Sequence, residues 1–346
     1  MKPLISVIIC CHNVADFLPD CMTSLANQTI GIEKLQLIFV DDASDDGGET
    51  WNCLLEFESH YPEQVTVVHL DENIRQGGAR NVGLEYAQAD YIGYVDGDDW
   101  LEPAMYERLY QCMKEYNCDI VDCRMMRDYP NGRTYIYHKM PNRLDAEEKS
   151  IMEGGTHWID RFGEEGYGGG VVTGLYKKEL LLKSGVKFPE KILYEDNYWV
   201  AILMLYVKRY FHLAEDLYHY RQREDSTVHK KNAMHHVDRL TIEEMKLKTY
   251  HDLHIYERYR EIIEQDFLRE YYCRTLLTML VKYDNSPYDV FCHMNRRVME
   301  LYPDYKKTEL AQNEGIGKIL LGLIDRDLDE VQFMEIKKII LSYYGR

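Results

Sequence analysis

Four short apolar runs do most to limit what this chain can become: Ile5-Ser6-Val7-Ile8-Ile9-Cys10-Cys11, Gln36-Leu37-Ile38-Phe39-Val40, Val65-Thr66-Val67-Val68-His69 and Tyr91-Ile92-Gly93-Tyr94-Val95. Runs this short and this apolar read as buried strands. Between the first two, Phe17, Leu18, Cys21, Met22 and Leu25 recur at helical spacing, with Pro19 tolerated in a first turn. A second helix is expected from about Gly48 to His60, and Gly77-Gly78-Ala79-Arg80-Asn81-Val82-Gly83 opens a third. Strands alternating with helices over about a hundred residues predict a parallel, doubly wound sheet.

Two of these strands end in acid. Tyr91–Val95 runs into Asp96-Gly97-Asp98-Asp99, and Gln36–Val40 runs into Asp41-Asp42-Ala43-Ser44-Asp45-Asp46-Gly47. Open α/β sheets bind ligands at the carboxyl ends of their strands, so the two clusters outline one acidic cleft. Carboxylates on one tight loop repel and raise one another's pKa unless a cation or fixed donors offset them. The cleft is therefore suited to a divalent metal and, through it, a diphosphate. Asp-Gly between apolar runs is also a hairpin signal, and Asp99 is as readily a solvated turn residue as a support for Asp96 and Asp98.

Composition narrows the partners. A net charge of −18 argues against wrapping nucleic acid or adhering to anionic lipid through overall charge. Nine cysteines, an odd number without zinc or Cys-x-x-Cys spacing, read as reduced core thiols. No stretch is long enough to cross a bilayer, and Met1-Lys2-Pro3 lacks a signal-peptide layout, so a cytoplasmic protein is expected, with peripheral contact at the inner membrane face left open.

Beyond residue 100 the pattern loosens: a helix from Pro103, strand-like Ile120–Cys123 and Thr134–Tyr137, then a glycine-rich segment from Gly163 to Gly174 of the kind that closes over substrates. From about residue 230 the chain reads as helical and tyrosine-rich, broken near Asn285-Ser286-Pro287, Pro303 and Asn313-Glu314-Gly315.

Taken in order, the motifs resemble those of family 2 glycosyltransferases of the GT-A fold, over roughly residues 4–226. Ser6–Ile9 with His12-Asn13 is similar to the opening strand, although Cys10-Cys11-His12 replaces the usual proline, any residue, tyrosine. Val40–Asp46 resembles the nucleotide loop, Asn73 with Gly77, Ala79-Arg80-Asn81 and Gly83 the glycine and arginine motif, and Asp96-Gly97-Asp98 the metal-binding Asp-x-Asp element. Gly174–Lys178 and Phe188 lead into Tyr194-Glu195-Asp196, like the segment of the catalytic base, and Tyr220–Ser226 is like the motif that closes the domain. The resemblance is nearest to bacterial enzymes that build capsules, lipopolysaccharide and other surface glycans.

The resemblance implies a Rossmann-like, doubly wound mixed α/β sheet in residues 1–226, with a nucleotide half to about 100 and an acceptor half beyond, then a helical extension over 227–346. It implies an inverting, metal-dependent transfer from a UDP-sugar to a glycan or lipid-linked hydroxyl. Asp98 would bind Mn²⁺ or Mg²⁺, with His229 completing the shell, and Asp96 would lie near ribose and metal. Asp41 and Asp42 stand where uracil is read, and Arg223 would touch the diphosphate or else pair with Glu224. Arg80 would touch the nucleotide or pair with Asp41 or Asp42. Asp196 is the expected base, with Glu195 orienting the acceptor.

Three other readings stand beside this one. A dinucleotide-fold oxidoreductase is weak, because Gly77–Arg80 follows the third strand and lacks the G-x-G-x-x-G spacing after the first. A nucleotidyltransferase would share the acidic sheet edge but release pyrophosphate. A sugar-nucleotide-binding scaffold without catalysis is disfavoured by Asp98 and Asp196.

Overall fold

The computed structural model describes residues 2–137, 139–156, 170–223, 226–227 and 230–344. It divides into two compact units, Met1–Arg223 and Glu224–Arg346.

The first unit is built on β1 (Ile5–Cys11), β2 (Leu35–Asp41), β3 (Val65–His69) and β4 (Tyr91–Asp96). These four are parallel, in the order β3-β2-β1-β4. β1 and β2 are buried along their whole length, which is why they read as unbroken apolar runs. The helices α1 (Leu18–Ala26), α2 (Glu49–His60) and α3 (Arg75–Tyr86) connect them. At Gly83 of α3 an added Cβ would stand 2.3 Å from Ile8 Cγ2, so only glycine lets this helix approach β1 so closely.

Beyond β4 the sheet becomes mixed. β5 (Trp100–Leu101), α4 (Met105–Glu115), β6 (Ile120–Asp128), β7 (Thr134–Ile136) and β8 (Arg143–Ala146) precede β9 (Gly174–Lys177). β9 runs antiparallel between β4 and β6. After α5 (Lys178–Ser184) and α6 (Glu195–Leu203) comes β10 (Arg209–Arg221), parallel to β6 and antiparallel to β5 and β8. This strand is absent from the sequence reading. It is thirteen residues long, carries register shifts between Leu213 and Tyr218, and mixes polar with apolar residues, so no clean period marks it. Residues 163–169 of the glycine-rich segment lie outside the described residues; Val171–Thr173 form a short 3₁₀ turn and Gly174 begins β9.

The second unit is helical: α7 (Asp238–Asp252), α8 (Arg260–Phe267), a π-helical stretch Leu268–Arg274 that leads into α9 (Thr275–Lys282), α10 (Tyr288–Leu301), α11 (Glu309–Gln312), α12 (Ile316–Leu321) and α13 (Glu330–Tyr344). The breaks fall where proline and glycine place them, with Pro287 capping α10 and Gly315 preceding α12. Inside this unit Lys246 is buried between Glu243 (2.8 Å) and Asp266 (2.9 Å).

Candidate active site

The register of the parallel strands levels their carboxyl ends: Cys11 pairs with Asp41, Cys10 with Asp96, and Asp41 with His69. Both oxygens of the fully buried Asp41 are engaged. Oδ1 accepts from the Ser44 amide (3.1 Å) and hydroxyl (2.5 Å), and Oδ2 faces His69 Nδ1 at 2.8 Å. Asp42 is buried and accepts from the Ile74 amide at 2.7 Å. Burial pushes its carboxyl up, against the pull of that amide and of His12. The β1 and β2 loops are laced together. His12 Nδ1 meets the Asp42 carbonyl at 2.9 Å, and the Asn13 amide group donates to Asp45 Oδ1 at 2.6 Å. Asn13 and Ala43 hold positive φ just beyond β1 and β2, as do Arg75 at the start of α3 and Tyr194 before α6.

The Asp96–Asp99 loop is fixed from inside. Asp99 is fully buried: Oδ2 accepts from the Tyr218 hydroxyl at 2.6 Å and Oδ1 from the Arg221 amide at 2.8 Å. Burial, then Asp98 and Asp96, drives its carboxyl well above the usual range. It is a buried anchor and not a solvated turn residue. Arg221 adds a second tie, Nε donating to the Asp98 carbonyl at 2.8 Å, with its guanidinium 4.5 Å from the Trp100 ring centre. Asp98 meets Arg223 at 2.6 Å. Burial and the adjacent Asp96 still raise the Asp98 carboxyl.

Arg80 brings the far segment into the site. It lies in the first half of α3, 4% exposed, with Nη1 at 2.7 Å from Glu195 and Nη2 at 3.0 Å from Asp96. These are its partners, and not the Asp41 or Asp42 expected from sequence: the latter two are already satisfied by neighbouring amides, Ser44 and His69. One guanidinium charge is shared by two carboxylates with Asp196 beside them. Burial therefore prevails at Glu195 and pushes it up to about 7. Trp199 of α6 packs on buried Tyr94, Tyr176 and Phe188, stacking on the last at 4.3 Å. Gly77 permits the approach, since a Cβ there would stand 2.2 Å from the Pro189 carbonyl. Asp196, in the first turn of α6, is exposed beside this cluster.

The structure thus gathers Asp96, Asp98, Arg80, Arg223, Glu195 and Asp196 around one strand edge, with Asp41 and Asp42 at the adjoining loop. His229 and Glu224 lie outside the described residues. His69 and Tyr218 escaped the sequence reading as site residues, and Arg221 entered it only within the motif Tyr220–Ser226, without its contacts to Asp98 and Asp99. His69 was hidden as the end of a strand, and the other two belong to β10, whose alternation was broken by its bulges. Among the described residues no group of three or more His, Cys, Asp or Glu is arranged as a metal cage. The donor set nonetheless suits a hard cation: two neighbouring carboxylates, Asp96 and Asp98, need two guanidiniums to offset them, and Asp98 stays raised all the same.

A mixed sheet with acidic loops at the carboxyl edge of its parallel strands, followed by a helical region, defines the GT-A class of fold. It superposes on the crystal structure of S. aureus TarS 1-349 in complex with UDP-GlcNAc with a TM-score of 0.71 at 18% identity, covering 99% of this chain and 92% of that one. Residues 6–171 match the family model described as glycosyl transferase family 2. The chain is 28% identical over 307 residues to a Bacillus subtilis protein named uncharacterized glycosyltransferase EpsJ, covering 84% of this chain and 82% of the relative. It is 30% identical over 229 residues to the minor teichoic acid biosynthesis protein GgaB of the same organism, 66% of this chain but 24% of the relative. The chain carries a family 2 glycosyltransferase domain and is a glycosyltransferase.

Proposed function

We propose that this glycosyltransferase inverts configuration as it moves a sugar from a UDP-sugar to a hydroxyl of a cell-surface glycan or its lipid-linked precursor, with Mn²⁺ or Mg²⁺ at Asp98. The observation that carries this is Arg80, whose guanidinium ties Asp96, at the end of β4, to Glu195, 115 residues beyond Arg80 in sequence. It supports a donor side and an acceptor side that meet across one arginine. The relatives' involvement in teichoic acid synthesis and the UDP-GlcNAc held by the fold neighbour favour the donor and pathway class.

Asp96 and Asp98 would hold the divalent cation, which neutralises charge on the departing diphosphate. Arg223, released from Asp98, would turn to a diphosphate oxygen. The β1 and β2 loops receive the nucleoside. Asp42 reads the uracil N–H, while Asp41 acts through Ser44 and His69 to hold the loop's shape. Asp196 accepts the proton of the acceptor hydroxyl as its oxygen bonds to the anomeric carbon; the bond from that carbon to the phosphate oxygen breaks, and UDP leaves with the electron pair. A carboxylate in the first turn of α6 is favoured in its charged form by the helix amino terminus. Glu195, fixed by Arg80, orients the acceptor.

Calorimetry tests the donor side. UDP should bind with Mn²⁺ or Mg²⁺ and lose affinity on addition of EDTA, and Asp98→Asn should remove the metal dependence. Equal affinity with and without metal in the parent protein would sink the assignment.

A further inference from the structure

The end of β6 folds back through a tight turn at Gly132 into β7, which pairs with β6 alone. Arg127 faces Tyr135 across this ladder, and Tyr129 closes it on Arg133 through an amide–carbonyl bond of 2.9 Å. Directly paired residues share a face, so Arg127, Tyr129, Arg133 and Tyr135 lie on one side of the hairpin. Tyr137 joins them, with the Arg127 guanidinium 3.8 Å from its ring centre. The opposite side is used internally: Asp128 accepts from Thr134 and contacts His219 at 2.9 Å.

Three features mark this face, on which Tyr129 and Tyr135 also meet edge to face, ring centres 5.6 Å apart. Tyr129, Tyr135 and Tyr137 are 37%, 53% and 47% exposed, although aromatic rings are ordinarily sheltered. The Arg127 Nε is buried without a hydrogen-bond partner. Neither the Arg127 nor the Arg133 side chain meets a carboxylate among the described residues, in a chain whose net charge is −18. The face also continues to the candidate site. Arg127 pairs with Tyr220 on β10, the residue before Arg221, whose amide and Nε hold Asp99 and the Asp98 carbonyl.

We propose that this hairpin face is an acceptor subsite for an anionic glycan chain, whose sugar rings lie on the tyrosines and whose phosphate or carboxylate groups pair with Arg127 and Arg133. It rests on the glycosyltransferase reading above and names the chemistry of the acceptor. Tyrosine offers a flat apolar ring with a hydroxyl at its edge, matched to the alternating C–H and O–H surface of a sugar. Guanidinium forks match phosphate and carboxylate oxygens. Tyr220 leads from this platform to the acidic loop, so a chain bound here would extend its growing end toward Asp96–Asp99.

Binding of three soluble probes by the full chain tests this: poly(glycerol phosphate), poly(galacturonic acid) and neutral dextran. The parent should bind at least one anionic probe, more weakly at high salt, and show no comparable affinity for dextran. Arg127→Gln/Arg133→Gln and Tyr129→Ala/Tyr135→Ala should each weaken that binding about tenfold, as losing interface anchors does. Tyr129→Phe/Tyr135→Phe, which keeps the rings, should retain most of it. All variants should keep the parental thermal midpoint and bind UDP within twofold of the parent. If the parent binds neither polyanion, binds dextran equally well, or the arginine variant binds like the parent, the subsite is wrong. If the parent fails to bind UDP, the donor reading fails instead.

Discussion

Arg80 carries the charge balance of the site. It is buried against Glu195 and Asp96, so removing its charge leaves two carboxylates facing each other in a largely dry setting. Arg80→Met should cost roughly 3–5 kcal/mol of stability, as breaking a buried ion pair from one side does; urea unfolding will show it, and a loss under about 1 kcal/mol would mean the pair is solvated. Glu195 supplies a pH signature. Its folded pKa, about 7, lies above the ordinary value of 4.5, so the folded chain binds the proton more tightly than the unfolded one. Its contribution is full below pH 4.5 and is lost as the pH rises through about 7. Glu195→Gln cannot ionise, so the variant should gain on the parent between pH 5 and pH 8, whatever its offset; a constant difference would contradict the assignment. At Asp196 the expectation is kinetic. Asp196→Asn should leave UDP affinity within a few fold while transfer falls about a hundredfold to ten-thousandfold, the usual range for a lost general base. Transfer near the parental rate would move the base elsewhere, Glu195 first.

Elements differ in how plainly the sequence announces them. β1, β2 and β4 were legible because central parallel strands are largely buried and show as continuous apolar runs, β3, at the sheet edge and half-buried, because of its run of β-branched residues, and the acidic ends of β2 and β4 then located the candidate site. β10 was not, because a strand that bends through two bulges has no fixed alternation. With it were lost Tyr218, which holds Asp99, and the contacts of Arg221, named only as part of its motif, to Asp99 and the Asp98 carbonyl. Asp96, Asp98, Glu195 and Asp196 stood out by motif, but the Arg80 bridge between them joins residues far apart in sequence, and only the folded chain reveals it. In the helical unit the Lys246 ammonium, held between Glu243 on its own helix α7 and Asp266 on α8, is a similar hidden tie. Lys246→Met should destabilise by roughly 3–5 kcal/mol, since it strands two buried acids. A variant with unchanged denaturation midpoint would show that the pocket admits water.

The whole molecule combines a sheet edge rich in acid with a helical unit whose buried acids Glu243 and Asp266 are paired with Lys246. Among the described residues no helix is long and apolar enough to cross a membrane. The helical unit is assigned no chemistry, so reversing its surface charge with Lys306→Glu/Lys307→Glu should leave UDP release within twofold of the parent; a collapse with folding intact would place part of the site there. The central claim concerns the sheet edge: that Asp96 and Asp98 hold a UDP-sugar through a divalent cation so that its sugar can leave. The most direct measurement is UDP release from a panel of UDP-sugars, with Mn²⁺ or Mg²⁺ and again with EDTA. The account predicts release from at least one donor, abolished by EDTA and restored by added metal. Release that persists undiminished in EDTA, or pyrophosphate formed from a nucleoside triphosphate in its place, would contradict it.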